Sequence, residues 1–67
     1  MDRNMALKLA LAGHNLRAYE VGFRTDIRAD LISRFVNGMD LPTQRQAEAL
    51  SEELGIPVPN LFPRIRS

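Results

Sequence analysis

Helix-stopping residues fall at short intervals along this chain and limit any regular element to a few turns. Gly13, Asn37-Gly38, Pro42 and Gly55 each suit a helix end or chain reversal, and three prolines crowd the seven residues from Pro57 to Pro63. Between the stops, apolar residues recur at spacings of three and four, which places them on one side of a helix. No stretch alternates with period two between turn signals, and no repeat or low-complexity tract is visible. The expectation is an all-α fold, a compact domain of four to five short helices spanning 1–67. A chain of 67 residues forms one domain and buries only about 60% of its unfolded surface, too little for a roomy catalytic cleft.

The first helix is expected over about 3–13, with Leu7, Leu11, Ala6, Ala10 and Ala12 on its apolar side. A second runs from Leu16 to Thr25, with Leu16, Val21 and Gly22 facing inward and Arg17, Glu20 and Arg24 outward. Only a tight turn fits between Asp26 and Arg28, because Leu31, Ile32, Phe35 and Val36 restart the helical pattern. Asn37-Gly38 then closes the third helix in the left-handed region. Thr43-Gln44-Arg45-Gln46 has the form of a capping box opening the fourth, whose buried stripe is Ala47, Leu50 and Leu54 before Gly55. The proline-rich tail, 56–67, can hold one helical turn at most, with Leu61 and Phe62 as anchors against the bundle.

Composition removes several functions. With no cysteine there is no disulfide framework or thiolate metal site, and His14 is the only imidazole, so no metal or other cofactor is expected. His14 itself reads as a helix-end or solvent-facing residue. Glu20, Glu48, Glu52 and Glu53 fall at helix-surface spacings without a nucleophile and base pair, so the chain is not read as an enzyme. The run Ala6 to Ala12 contains Lys8 and is too short to span a bilayer, so it is read as a core helix rather than a leader or membrane segment. A cytoplasmic location follows from these readings. Nine basic against eight acidic groups leave a net charge of +1, without the basic excess of many nucleic-acid binders.

Two short helices joined by a three-residue turn, at 17–37, form a helix-turn-helix pattern. The helices of such a unit pack closely at a steep angle, so a small residue is needed at the crossing, which Gly22 supplies. Ile32 and Phe35 seal one side of the following helix and leave the other free. Asn15-Leu16, Glu20-Val21-Gly22, Ile32-Ser33-Arg34-Phe35, Asn37-Gly38, Pro42, Ala47, Leu50, Leu54-Gly55-Ile56-Pro57-Val58 and Leu61-Phe62-Pro63 follow in order. In that order and spacing the chain, from Leu7 to Phe62, resembles the phage lambda-repressor-like helix-turn-helix family, also called Cro/repressor or XRE.

The resemblance implies a bacterial or phage-encoded DNA-binding domain, nucleoid-associated when bound, whose third helix enters the major groove of double-stranded DNA. Carried onto this sequence, it makes Arg28, Ala29, Asp30, Ser33 and Arg34 the base-facing candidates. Phosphate contacts fall to Arg17 and Ala18 at the start of helix two and to Asn37, Gly38 and Met39 after helix three. The chain departs from the family where Arg17-Ala18 replaces the usual Thr-Gln, Asp26 the turn glycine, and Arg28 the Ser that caps helix three. A common Arg and Glu pair is replaced at both ends, by Leu11 and Val36, so neither charge is left buried alone.

Each of these residues also has a plainer reading. Arg17, Arg28 and Arg34 can be solvated surface arginines. Asp30 either accepts from cytosine, opposes nonspecific binding or stabilises the helix N-terminus, the last being preferred. Phe23 is either a satellite core contact or part of a partner surface, and Leu61, Phe62 and Ile65 are further apolar candidates for a dimer surface. Arg64 and Arg66 form a frayed tail or a short basic arm. The leading functional expectation is a sequence-specific transcriptional regulator, a repressor, bound as a homodimer to a pseudo-palindrome with half-sites about 34 Å apart. The alternative keeps the fold but makes it a protein-binding adaptor, an antitoxin or phage accessory factor. Residues 13–40 carry four Arg against Glu20, Asp26, Asp30 and Asp40, a balance that favours the alternative.

Overall fold

A computed structural model describes residues 3–15 and 17–65, so the expected part of Leu16 in helix two and of Arg66 in a basic arm lies outside the described residues. The described chain is all-helical: α1 (Met5–Gly13), α2 (Ala18–Thr25), α3 (Ala29–Val36), α4 (Gln44–Leu54) and α5 (Val58–Leu61). Helix α2 packs on α3 and α4, α4 on α5, and α1 on α3 and α5. The core between them is purely apolar, with no polar or charged side chain buried among the described residues.

Local chemistry sets each boundary. Asn4 caps α1 by accepting from the Leu7 amide at 2.9 Å. Its side-chain amide also donates to the Leu61 carbonyl at 2.8 Å, and its backbone amide to the Val36 carbonyl at 2.8 Å. One residue thereby fastens the start of α1 to the ends of α3 and α5. Leu7, Ala10 and Leu11 form the buried face of α1, whereas Ala6 and Ala12 are exposed, so the stripe is narrower than the sequence pattern suggests. Helix α1 ends at Gly13 as expected, and the left-handed residue that follows it is Asn15, at φ 54°.

Helix α2 begins two residues later than expected. Arg17 is its extended N-cap, and the Glu20 carboxylate accepts from the Arg17 amide at 3.3 Å. Only this half of a capping box can form, because a guanidinium has no acceptor to return to the Glu20 amide. At its other end, Asp26 stands in the left-handed region at φ 59° and ψ 35°, and the Ile27 amide returns to the Gly22 carbonyl at 3.1 Å. Asp is one of the few residues that tolerates this backbone without glycine. Ile27 plugs the turn from below and is buried, a core role the sequence pattern does not reveal.

A Cβ at Gly22 would collide with the Ile27 carbonyl oxygen and lie 3.6 Å from Ile32 Cδ1. The absence of a side chain there lets α3 and its turn close onto α2. Helix α3 then buries Ile32 and Phe35 as expected, with Leu31 and Val36 partly buried against the same core. Its end is a Schellman motif: the Gly38 amide donates to the Phe35 carbonyl at 3.2 Å and the Met39 amide to the Arg34 carbonyl at 2.9 Å, with Gly38 at φ 72°.

The capping box of α4 forms in full, Thr43 Oγ1 accepting from the Gln46 amide at 3.2 Å and Gln46 Oε1 from the Thr43 amide at 2.9 Å. Ala47, Leu50 and Leu54 are its buried stripe, and Gly55 ends it at φ 69°. The tail holds the single turn α5. Leu61 and Phe62 are 0% and 1% exposed, and the Phe62 ring meets Phe35 edge to face at 6.3 Å. These two residues anchor the tail as expected, and for the same reason they are not available as a dimer surface. Ile65 is half-buried against the same core.

Replacing Gly22 by Ala is expected to destabilise the fold by about 1–3 kcal/mol, despite the roughly 1 kcal/mol that alanine gains in helix propensity. Asn4→Ala should cost about 1–2 kcal/mol through the lost cap and the unpaired Leu61 carbonyl. Urea unfolding followed by circular dichroism checks both.

Candidate nucleic-acid interface

With Ile32 and Phe35 turned into the core, the opposite side of α3 faces solvent. Arg28, Asp30, Ser33 and Arg34 are exposed and Ala29 is half-buried. Helical spacing sets Asp30 beside Arg34 and Ala29 beside Ser33. Arg28, as the extended N-cap residue, projects from the entry to the helix and makes no cap with its side chain. All five base-facing candidates are therefore gathered on or beside one helix face.

That face is electrically self-compensated. Arg28 grips Asp30 with two bonds, Nε to Oδ1 at 3.1 Å and Nη2 to Oδ2 at 2.9 Å. Arg34 Nε donates to Asp40 Oδ2 at 2.8 Å. Both pairs are open to solvent, the arginine side chains being 83% and 52% exposed. Arg28, Asp30, Leu31, Arg34 and Asp40 line a shallow concavity of about 360 Å³. Exposed pairs of this kind contribute about 0–1 kcal/mol, so either arginine can exchange its carboxylate for a stronger anionic or hydrogen-bonding partner at little cost. Asp30 sits in the first turn of α3, where its charge suits the helix dipole, and it also neutralises Arg28.

Asp40 is the member of this group that sequence reasoning misses. It is six residues from Arg34, beyond helical reach. The Schellman bond from the Met39 amide to Arg34 folds the chain back and delivers the next residue to that arginine. An Asn-Gly helix end followed by an acidic residue two positions after the glycine is the signal that points to it.

The phosphate candidates separate into two kinds. The loop amides of Asn37, Gly38 and Met39 all donate to carbonyls of α3, so each is already engaged within the chain. What remains there is the exposed Asn37 side chain and the half-exposed Met39. At the start of α2, the Arg17 amide is taken by Glu20, but its side chain is exposed, and the first-turn amides of Ala18 and Tyr19 precede the first intrahelical bond.

Apolar side chains outside this face are also exposed. Phe23 is 91% exposed, so it makes no satellite core contact, and Tyr19 and Leu9 are each 64% exposed. A groove of about 440 Å³ lies between the start of α1, the loop after α3 and the tail, where Met5, Met39 and Leu41 overlie Phe35 and Phe62. No helix among the described residues is long and apolar enough to cross a membrane.

Comparison with family models, with curated proteins and with solved structures yields no match for this chain.

Because both α3 ion pairs are exposed, Asp30→Asn and Asp40→Asn are expected to change unfolding free energy by less than about 1 kcal/mol each. A larger loss in thermal or urea unfolding would mean that the pairs hold the fold rather than merely occupy its surface.

Proposed function

We propose that the chain is a sequence-specific DNA-binding regulator, a repressor of the lambda-repressor-like helix-turn-helix kind, that occupies operator DNA with α3 in the major groove. The observation that carries this reading is the outward face of α3, which presents Arg28, Ser33 and Arg34 from a helix clamped to the body by Ile32 and Phe35. The three-residue link from α2, the crossing at Gly22 and the left-handed Asp26 support it as the helix-turn-helix unit the sequence pattern predicts.

An eight-residue helix is about 12 Å long, which suits end-on or oblique entry into a major groove about 12 Å wide. Arg34 lies in the last turn of α3, where its guanidinium can meet guanine N7 and O6 together. To do so it leaves Asp40, and Arg28 likewise leaves Asp30. On featureless phosphate the two carboxylates repel the backbone, so they weaken nonspecific binding more than binding to a site that rewards both arginines. Ser33 and Ala29 offer a hydroxyl and a methyl group to the same base edges. The Arg17 side chain and the first turn of α2 hold phosphate. With a net charge of +1 a monomer binds weakly, so the active species on DNA is a homodimer over two half-sites about 34 Å apart.

A second reading, a protein-binding adaptor such as an antitoxin or phage accessory factor, draws on the charge balance of α3 and on the exposed Tyr19, Phe23, Met5 and Leu41. Salt titration on random duplex DNA separates the two. A DNA binder weakens with salt in proportion to its phosphate contacts, whereas no binding at low salt together with recovery of a partner protein supports the adaptor. On a selected operator, Arg34→Ala should weaken binding by about 1–3 kcal/mol and relax preference at one base position. Asp40→Asn should strengthen binding to random duplex DNA by a few-fold, on the order of one removed charge, and binding to the operator by less. Unchanged affinity in both variants would remove α3 from the interface.

A further inference from the structure

Beside the first-turn amides assigned to phosphate, helix α2 carries an exposed side-chain face that the DNA-binding reading does not use. Tyr19 and Phe23 are one helical turn apart, both largely exposed, and with Glu20 and Arg24 they enclose a shallow concavity of about 370 Å³. We propose that this face is the contact between two copies of the chain, formed by two α2 helices packed antiparallel about a two-fold axis.

The order of the four residues carries the argument. A two-fold contact uses the same patch twice, so the patch must complement its own rotated image. When two α2 helices run antiparallel, residues near 19 and 20 of one face residues near 23 and 24 of the other. Tyr19 then meets Phe23 of the second copy, and Glu20 meets its Arg24. Each aromatic finds an aromatic and each charge its opposite, on both sides of the axis. A parallel arrangement would set Glu20 against Glu20 and Arg24 against Arg24.

Neither charge is fully committed within the chain. Glu20 uses Oε1 on the Arg17 amide, and Arg24 reaches Glu53 through Nη1 at 3.4 Å with its side chain 56% exposed. The concavity between the two rings is where the Phe23 ring of the second copy seats. The contact is small: two aromatic side chains bury at most roughly 300–500 Å² per copy, below the roughly 800 Å² of a standard stable interface. The dimer is therefore weak and reversible in solution and is consolidated when two half-sites hold both copies. It leaves the outer face of α3 open.

This inference deepens the DNA-binding reading by naming the surface its dimer uses, and its test is made without DNA. Sedimentation equilibrium of the intact chain from about 10 µM to 1 mM should show a reversible monomer and dimer equilibrium. Phe23→Lys, at an exposed position where the fold is unaffected by circular dichroism, should raise the dimer dissociation constant at least about thirtyfold.

The register has its own readout, because the chain has no cysteine. A mixture of Glu20→Cys and Arg24→Cys chains should oxidise mainly to the mixed disulfide. A chain still monomeric at 1 mM, a dimer indifferent to Phe23→Lys, or like-with-like disulfides predominating would overturn the proposal. Dimerisation without any DNA affinity would instead leave this contact standing and remove the DNA-binding reading. DNA binding by a chain that never dimerises through α2 would do the reverse.

Discussion

The crossing of α2 and α3 at Gly22 is the contact on which the rest of the arrangement depends. With no Cβ at that position, the Ile27 carbonyl can lie against α2, and Ile27 itself drops into the core as the turn reverses. The reversal needs a left-handed residue, and Asp26 provides it at the small cost that Asp accepts there. Once the turn is fixed, Ile32 and Phe35 must point inward and Arg28, Ser33 and Arg34 outward. The exposed face of α3 is thus a consequence of one missing methyl group and one permissive backbone.

The other half of the fold holds that unit in place from behind. Asn4 bonds simultaneously to the first turn of α1, the last carbonyl of α3 and the last carbonyl of α5. Phe35 extends from α3 to meet Phe62 edge to face, an arrangement worth about 0.5–1.5 kcal/mol beyond its buried area. In a chain this small, where little apolar surface is available, such shared contacts let short elements act as one cooperative body. Leu11 is buried and Val36 half-buried against the same core, which carries no buried charge among the described residues.

What the sequence discloses and what it withholds divide along physical lines. Helix ends were legible because Gly55, Asn37-Gly38 and the Thr43 capping box act locally, through backbone freedom and bonds that span three residues. The inward faces of α3 and α4 were legible because their periodicity is strong. The width of the α1 stripe was not, since Ala6 and Ala12 are small enough to sit on either side and only tertiary packing decides. Leu61 and Phe62 show the same limit: apolar residues in a proline-rich tail can cover the bundle or a partner, and only the closed core shows that they cover the bundle. The site was half legible. The outward residues of α3 follow from its period, but the pairing of Arg34 with Asp40 depends on how the chain leaves the helix.

That pairing bears on how a nearly neutral chain could read DNA at all. Strong binders rely on a surplus of positive charge, which raises affinity for every sequence together and leaves selectivity to the bases. Here each α3 arginine already has a carboxylate, Asp30 or Asp40, at a contact distance of 2.8–3.1 Å. Phosphate offers each arginine an exchange of one anion for another, with the displaced carboxylate left facing a negative backbone. Guanine offers two acceptors in the plane of the guanidinium and a neutral surrounding, so the exchange is less opposed there. On the proposed DNA-binding reading, a compensated face would therefore sacrifice general affinity and keep the difference between right and wrong bases, and a second copy would restore the strength that charge does not supply.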